Sequence, residues 1–159
     1  ELFDEVGYFD EELHISEDAE MNWRIRKAGY KIYFTPEIIS YYYPRPDLRR
    51  LARQFFNYGI LRVNVIKKHH DAVKPVHLVP PVFVLTTLLL AAAAFRWPLA
   101  GRGLLAIWAA YLLYLAVASV STCREEKQWS YLPALPAVFL TMQIAWGLGF
   151  LVGLFKTYK

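Results

Sequence analysis

Between Val76 and Phe155 the chain carries three long apolar runs, at about 76–95, 104–120 and 132–155, with charges only between them. A run of some 20 residues makes a helix of about 30 Å, enough to cross the hydrocarbon core of a bilayer. Burying three such helices inside a water-soluble domain would need a core far larger than 159 residues can build. The reading that follows is a membrane region over 76–155. In its first run Pro80 and Pro81 imply a kink or an entry turn. In its last run Gly147, Gly149 and Gly153 include a small-xxx-small spacing that lets another helix approach closely. Hydrophobic residues make up 56% of the chain, and nearly all the acidic residues lie before Asp71, so a polar first half followed by a membrane half is the simplest division.

The first half reads as mixed α/β over residues 1–46. Ser16 to Gly29 has the punctuation of a helix, with Ser16 as N-cap, acids in the first turn, Arg24, Arg26 and Lys27 in the last, and Gly29 beyond. Tyr30–Phe34 and Ile38–Tyr43 have the aromatic and β-branched content of strands, interrupted by Thr35-Pro36. Two strands are too few for a complete doubly wound domain with its own nucleotide site. The chain starts at Glu1 without Met or a basic and apolar leader, and it reads as a fragment. Cys123 is the single cysteine, which excludes an internal disulfide and a cysteine-rich metal site.

Residues 47–70 read as a basic amphipathic helix. Asp47 is placed to cap it, and Leu48, Leu51, Ala52, Phe55, Gly59, Val63 and Ile66 recur at helical spacing. Arg49, Arg50, Arg53, Arg62, Lys67 and Lys68 occupy much of the rest of its surface. Directly before a membrane span, such a helix suits the headgroup layer, with membrane lipid as its anionic partner. The formal net charge of +4 does not point to nucleic acid, because the cations are interleaved with large apolar residues. The same concentration of positive charge ahead of the first span places this side in the cytoplasm, and the chain in the cytoplasmic (inner) membrane.

Chemistry is most readily sought at Glu17 and Asp18. At a helix N-terminus the macrodipole and the free backbone N–H groups favour ionised carboxylates, and an ionised carboxylate can accept a proton from an attacking hydroxyl. Helix capping alone explains the same pair. The longer string VGYFDEELHISEDAEMNWRIRKAGYKIYFTPE resembles the family 2 glycosyltransferases, which carry a VGGFDE stretch, then ED on a helix ending in KAGY, then a short strand and a Pro. It is most similar to bacterial exopolysaccharide enzymes of the succinoglycan-synthesis type, with C-terminal membrane helices.

That resemblance implies a fold and a set of roles. The fold would be α/β, the C-terminal part of a GT-A nucleotide-sugar transferase domain, followed by an amphipathic interfacial helix and three transmembrane α-helices. Asp18 matches the family's general base and Glu17 supports it. Asp10 lies in the acceptor-side loop, where Tyr8 replaces the usual second Gly. The family's QxxRW motif falls on Gln54, Asn57 and Tyr58. Asn57 stands where Arg is usual, so Arg53 or Arg62 would supply the positive charge. Tyr42 stands near a position often held by a metal-ligating His. A divalent metal, Mg or Mn, would be bound mainly by an N-terminal half that this stretch lacks. The implied reaction is inverting transfer from a nucleotide-diphosphate sugar to a saccharide or lipid-linked acceptor. The alternative is a non-catalytic membrane anchor or transporter module with a small cytoplasmic interaction domain.

Overall fold

The computed structural model describes residues 2–11 and 17–156. Six α-helices follow one another: α1 (Leu2–Val6), α2 (Glu17–Lys27), α3 (Leu48–Lys68), α4 (Pro75–Ala94), α5 (Pro98–Glu125) and α6 (Leu135–Phe155). Single 3-10 turns at His70–Ala72 and Trp129–Tyr131 join α3 to α4 and α5 to α6.

The local signals act as their chemistry dictates. Gly29, at φ +90, closes α2, with its N–H on the Arg26 carbonyl and the Tyr30 N–H on the Ile25 carbonyl, a Schellman ending. The expected N-cap Ser16 lies outside the described residues. Asp47 caps α3 by accepting the Arg50 N–H at 2.8 Å. Pro75 opens α4 at its first turn, and the helix runs on through Pro80 and Pro81, which leave the carbonyls four residues earlier without their helical donors.

The α/β expectation for residues 1–46, and with it the GT-A domain end, is corrected: the described residues contain no strand and no sheet. Residues 30–34 and 39–45 are irregular on either side of a turn at Thr35, and they do not pair. Tyr33, Phe34, Ile38, Tyr41 and Tyr43 all stand exposed. Aromatic and β-branched content measures how well a segment fits a sheet surface. It does not supply the neighbouring strand whose N–H and C=O groups a ladder requires.

The three helices α4, α5 and α6 are each long and apolar enough to cross a membrane. The second is longer than its apolar run suggests, because α5 extends through Arg102 at one end and Arg124 at the other. The most extensive packing in the molecule is between α3 and α6, and it is built on glycine. A Cβ on Gly149 would lie 1.9 Å from the Phe56 carbonyl oxygen, one on Gly59 would lie 2.4 Å from that of Trp146, and one on Gly153 would lie 2.9 Å from the Ile60 Cα. Contacts advance together along both helices, so α3 lies lengthwise on α6 and its apolar face meets protein there. Gly147 does the same for α4, its missing Cβ leaving room for the Pro80 carbonyl and Val84. Lys67 Nζ reaches the Gly153 carbonyl at 2.8 Å, a cation at the C-terminal end of α6 where the helix dipole favours it.

Gly149→Ala is expected to cost about 1–3 kcal/mol through forced separation of α3 and α6. Gly101→Ala, whose nearest neighbour is 3.7 Å away, should be neutral. Thermal unfolding of the detergent-solubilised protein distinguishes them: a lower midpoint for the first alone.

Candidate functional site

The short helix α2 is clamped to the end of α3 by one carboxylate. Glu20 is 2% exposed. Both of its oxygens accept from Arg24 Nε at 2.9 Å, and Oε1 also lies 2.7 Å from His69 Nε2. The His69 ring stacks on Trp23 with centroids 3.9 Å apart, and Lys27 Nζ sits 4.4 Å from the centre of the Trp23 ring. Beneath them Trp23 packs on Val65 and Ala72. Arg24 extends the clamp to the N-terminal loop, donating to the carbonyls of Val6 and, at 2.7 Å, Tyr8. Gly7 makes that turn at φ +78, and Tyr8 stacks on Phe3 without needing a positive φ of its own.

This arrangement leaves Glu17 and Asp18 on the first turn of α2, with Asp18 exposed. Asp18 Oδ1 accepts the Ala19 N–H at 2.7 Å, and no cation pairs with either acid among the described residues. Asp10 reaches Lys68 Nζ at 2.5 Å, which ties the acceptor-side loop to the same end of α3.

The partial QxxRW match forms a second group. Gln54 Nε2 donates to the Tyr58 hydroxyl at 2.7 Å and to that of Tyr42 at 3.2 Å. The three border a cleft of about 600 Å³ with Pro44, Pro46 and Leu51. Arg53 is exposed and lies with Ala52 and Phe56 against α6, not in that cleft, and Asn57 has no side-chain partner among the described residues. Gln54 and His69 are about 22 Å apart along the axis of α3 at 1.5 Å per residue. The described structure therefore gathers Asp10, Glu17 and Asp18 at one end of α3 and Gln54, Tyr58 and Tyr42 at the other, and does not bring the two groups together.

Sequence reasoning passed over Glu20 and His69. The i,i+4 spacing of Glu20 and Arg24 was a legible signal for the first. Nothing local marked His69, which packs on Glu20 and Trp23 of α2. Among the described residues no three histidine, cysteine, aspartate or glutamate side chains come together as a metal would require. These residues do not fit a metal site.

The sequence profile of the glycosyl transferase family group 2 matches residues 1–150. The chain belongs to that family. It is 33% identical over 155 residues to the succinoglycan biosynthesis protein ExoA of Rhizobium meliloti (strain 1021), covering 94% of this chain and 44% of that protein. It is 24% identical over 148 residues to the dolichyl N-acetyl-alpha-D-glucosaminyl phosphate 3-beta-D-2,3-diacetamido-2,3-dideoxy-beta-D-glucuronosyltransferase of Methanococcus voltae, covering 93% of this chain and 42% of that enzyme. The chain thus spans less than half the length of these relatives. No solved structure matches it.

Two outcomes test the clamp. Glu20→Ala strands Arg24 and His69, and a loss of about 1.4 kcal/mol should speed tryptic cleavage after Arg24, Arg26 and Lys27 roughly tenfold. Asp18→Asn should leave that rate unchanged. The second outcome concerns pH. The hydrogen bond from Lys27, at 2.9 Å, holds the Asp71 carboxyl below the usual carboxylate range. A depressed acid contributes stability above its unfolded value and loses it as pH falls through the folded one. The Lys27–Asp71 contact should therefore persist at neutral pH and open only under strong acid, as followed by the Asp71 carboxyl resonance.

Proposed function

We propose that the protein of which these residues form a part is a membrane-bound inverting glycosyltransferase. It moves a sugar from a nucleotide-diphosphate sugar to a hydroxyl of a saccharide or lipid-linked acceptor during polysaccharide synthesis. The observation that carries this reading is the ED pair on the first turn of α2. Glu20 and His69 hold that helix in place, and Glu17 and Asp18 remain without a cationic partner among the described residues.

In this mechanism Asp18 is the general base. The acceptor oxygen attacks the anomeric carbon, the bond from that carbon to the diphosphate breaks, and the proton of the attacking hydroxyl passes to Asp18. The carboxylate stands on the first turn of α2, where it can meet an attacking hydroxyl. Glu17 supports it, and Asp10, tethered to Lys68, orders the loop beside the acceptor. Gln54 and Tyr58, with Tyr42, offer hydroxyl and amide groups and an aromatic face to a sugar. The name of the Methanococcus voltae relative specifies a dolichyl N-acetyl-alpha-D-glucosaminyl phosphate, which favours a lipid-linked saccharide acceptor here. The basic residues ahead of α4 support a catalytic part on the cytoplasmic side of the inner membrane. Family members generally use a divalent metal, Mg or Mn, and this reading assigns it to residues outside 1–159.

The test uses the full-length protein in membranes with a panel of radiolabelled nucleotide sugars, following label into lipid-extractable or polymeric material. Asp18→Asn, at equal abundance, should lower transfer at least about a hundredfold. Equal transfer by both proteins would reduce Asp18 to a helix cap. No transfer by folded wild type would favour a non-catalytic anchor.

A further inference from the structure

A cleft of about 490 Å³ opens between α2, α3 and the start of α4, lined on the α2 side by Ala19, the neighbour of Asp18, and by Trp23 and Arg26. Its charged lining is Arg26 and Lys27 from α2, Arg62 from α3, and Asp71 and Lys74 from the α3–α4 link, with His77 from the first turns of α4. Lys27 and Asp71 neutralise each other at 2.9 Å. The side chains of Arg26, Arg62 and Lys74 have no hydrogen-bonding or ion-pairing acceptor among the described residues.

Three unpaired cations at one cleft repel one another, and such a grouping is stable when an anion sits among them. Arg62 carries the argument furthest. It is partly buried, and burial pushes its guanidinium below its usual value, so it bears a desolvation cost that no acceptor among the described residues offsets. The Lys74 N–H donates to His77 Nδ1 at 3.2 Å, so the neutral imidazole carries its hydrogen on Nε2 as a donor. The cleft also lies at the N-terminal end of α4, where the helix dipole favours negative charge. Guanidinium forks beside an ammonium match the several oxygens of a phosphate better than a single carboxylate.

We propose that this cleft is a binding site for a phosphate or diphosphate group at the membrane edge, held by Arg62, Arg26 and Lys74 with His77 as a further donor. Because α4 is the first helix able to cross a bilayer, a group bound there can belong to a lipid whose chains lie beside α4. A soluble phosphate compound offers the same oxygens. The proposal concerns binding and does not depend on Asp18 or on sugar transfer.

The experiment uses the full-length protein purified in a zwitterionic detergent, with dioleoyl phosphatidic acid as the lipid probe and inorganic pyrophosphate as the soluble probe. Retention of each is read by native mass spectrometry. Wild type should retain phosphatidic acid in preference to phosphatidylcholine, and Arg62→Gln and Lys74→Gln should each weaken this about tenfold or more, the scale of one charge-assisted hydrogen bond. Arg26→Gln, on the other wall, gives the same reading if a change in α3 disturbs folding. Arg124→Gln, at the end of α5, should bind as wild type does. Loss of the lipid probe alone identifies a headgroup as the source of the phosphate, and loss of both shows that the cleft accepts either source. Equal binding by wild type and all three cleft variants overturns the proposal, as does an equal loss in Arg124→Gln, which would mean attraction by overall charge.

Discussion

The backbone-to-backbone approach of α3 and α6 is the contact on which the other arrangements rest. At Gly59, Gly149 and Gly153 there is no side chain to hold the helices apart, so main-chain atoms of one helix touch those of the other. Contact at that range multiplies the van der Waals attractions between the two helices, which small residues at an interface make possible. Once α3 is seated on α6, its two ends become fixed platforms. One carries the Gln54–Tyr58–Tyr42 group and the other receives α2 through His69 and Glu20.

The cations of the first half fall into two populations. Arg24, Lys27, Arg50, Lys67 and Lys68 have acceptors: Glu20, Asp71, Asp47, the Gly153 carbonyl and Asp10. These tie elements together, and the exposed ones contribute little energy individually. The others have no acceptor among the described residues, and three of them, Arg26, Arg62 and Lys74, gather around one cleft at the entry to α4. A helix with basic residues over much of its surface thus divides its charges between holding the fold and facing outward, a division that net charge alone conceals.

The sequence was most legible where a signal is local or continuous. Apolar runs, the Asp47 cap and the Gly29 stop each depend on a few neighbouring residues, and each has its counterpart in the structure. The two presumed strands were not legible, because Tyr30–Phe34 and Ile38–Tyr43 have the right residues for a sheet and no partner to pair with. The site was only half legible for a similar reason. The ED pair stands out in the string, but the residue that fixes its helix is Glu20, whose role depends on His69, 49 positions further along. The resemblance marked Arg62 as a stand-in for the missing QxxRW arginine, but its company of Arg26 and Lys74 depends on contacts between elements and was not legible in the string.

The separation between α3 and its partner has a consequence for how the protein is made. Lys67 and the Gly153 carbonyl it reaches are 86 residues apart in the chain. During synthesis α3 emerges first, then α4 and α5, and α6 last. For that interval the Gly59 face of α3 has no seat, and α2 is attached to a helix that is itself undocked. Long-range contacts of this kind form late and leave apolar surface exposed meanwhile. Synthesis of α6 is therefore the event that completes the assembly: a chain ending before α6 would carry its ED helix clamped to an α3 that has no seat of its own.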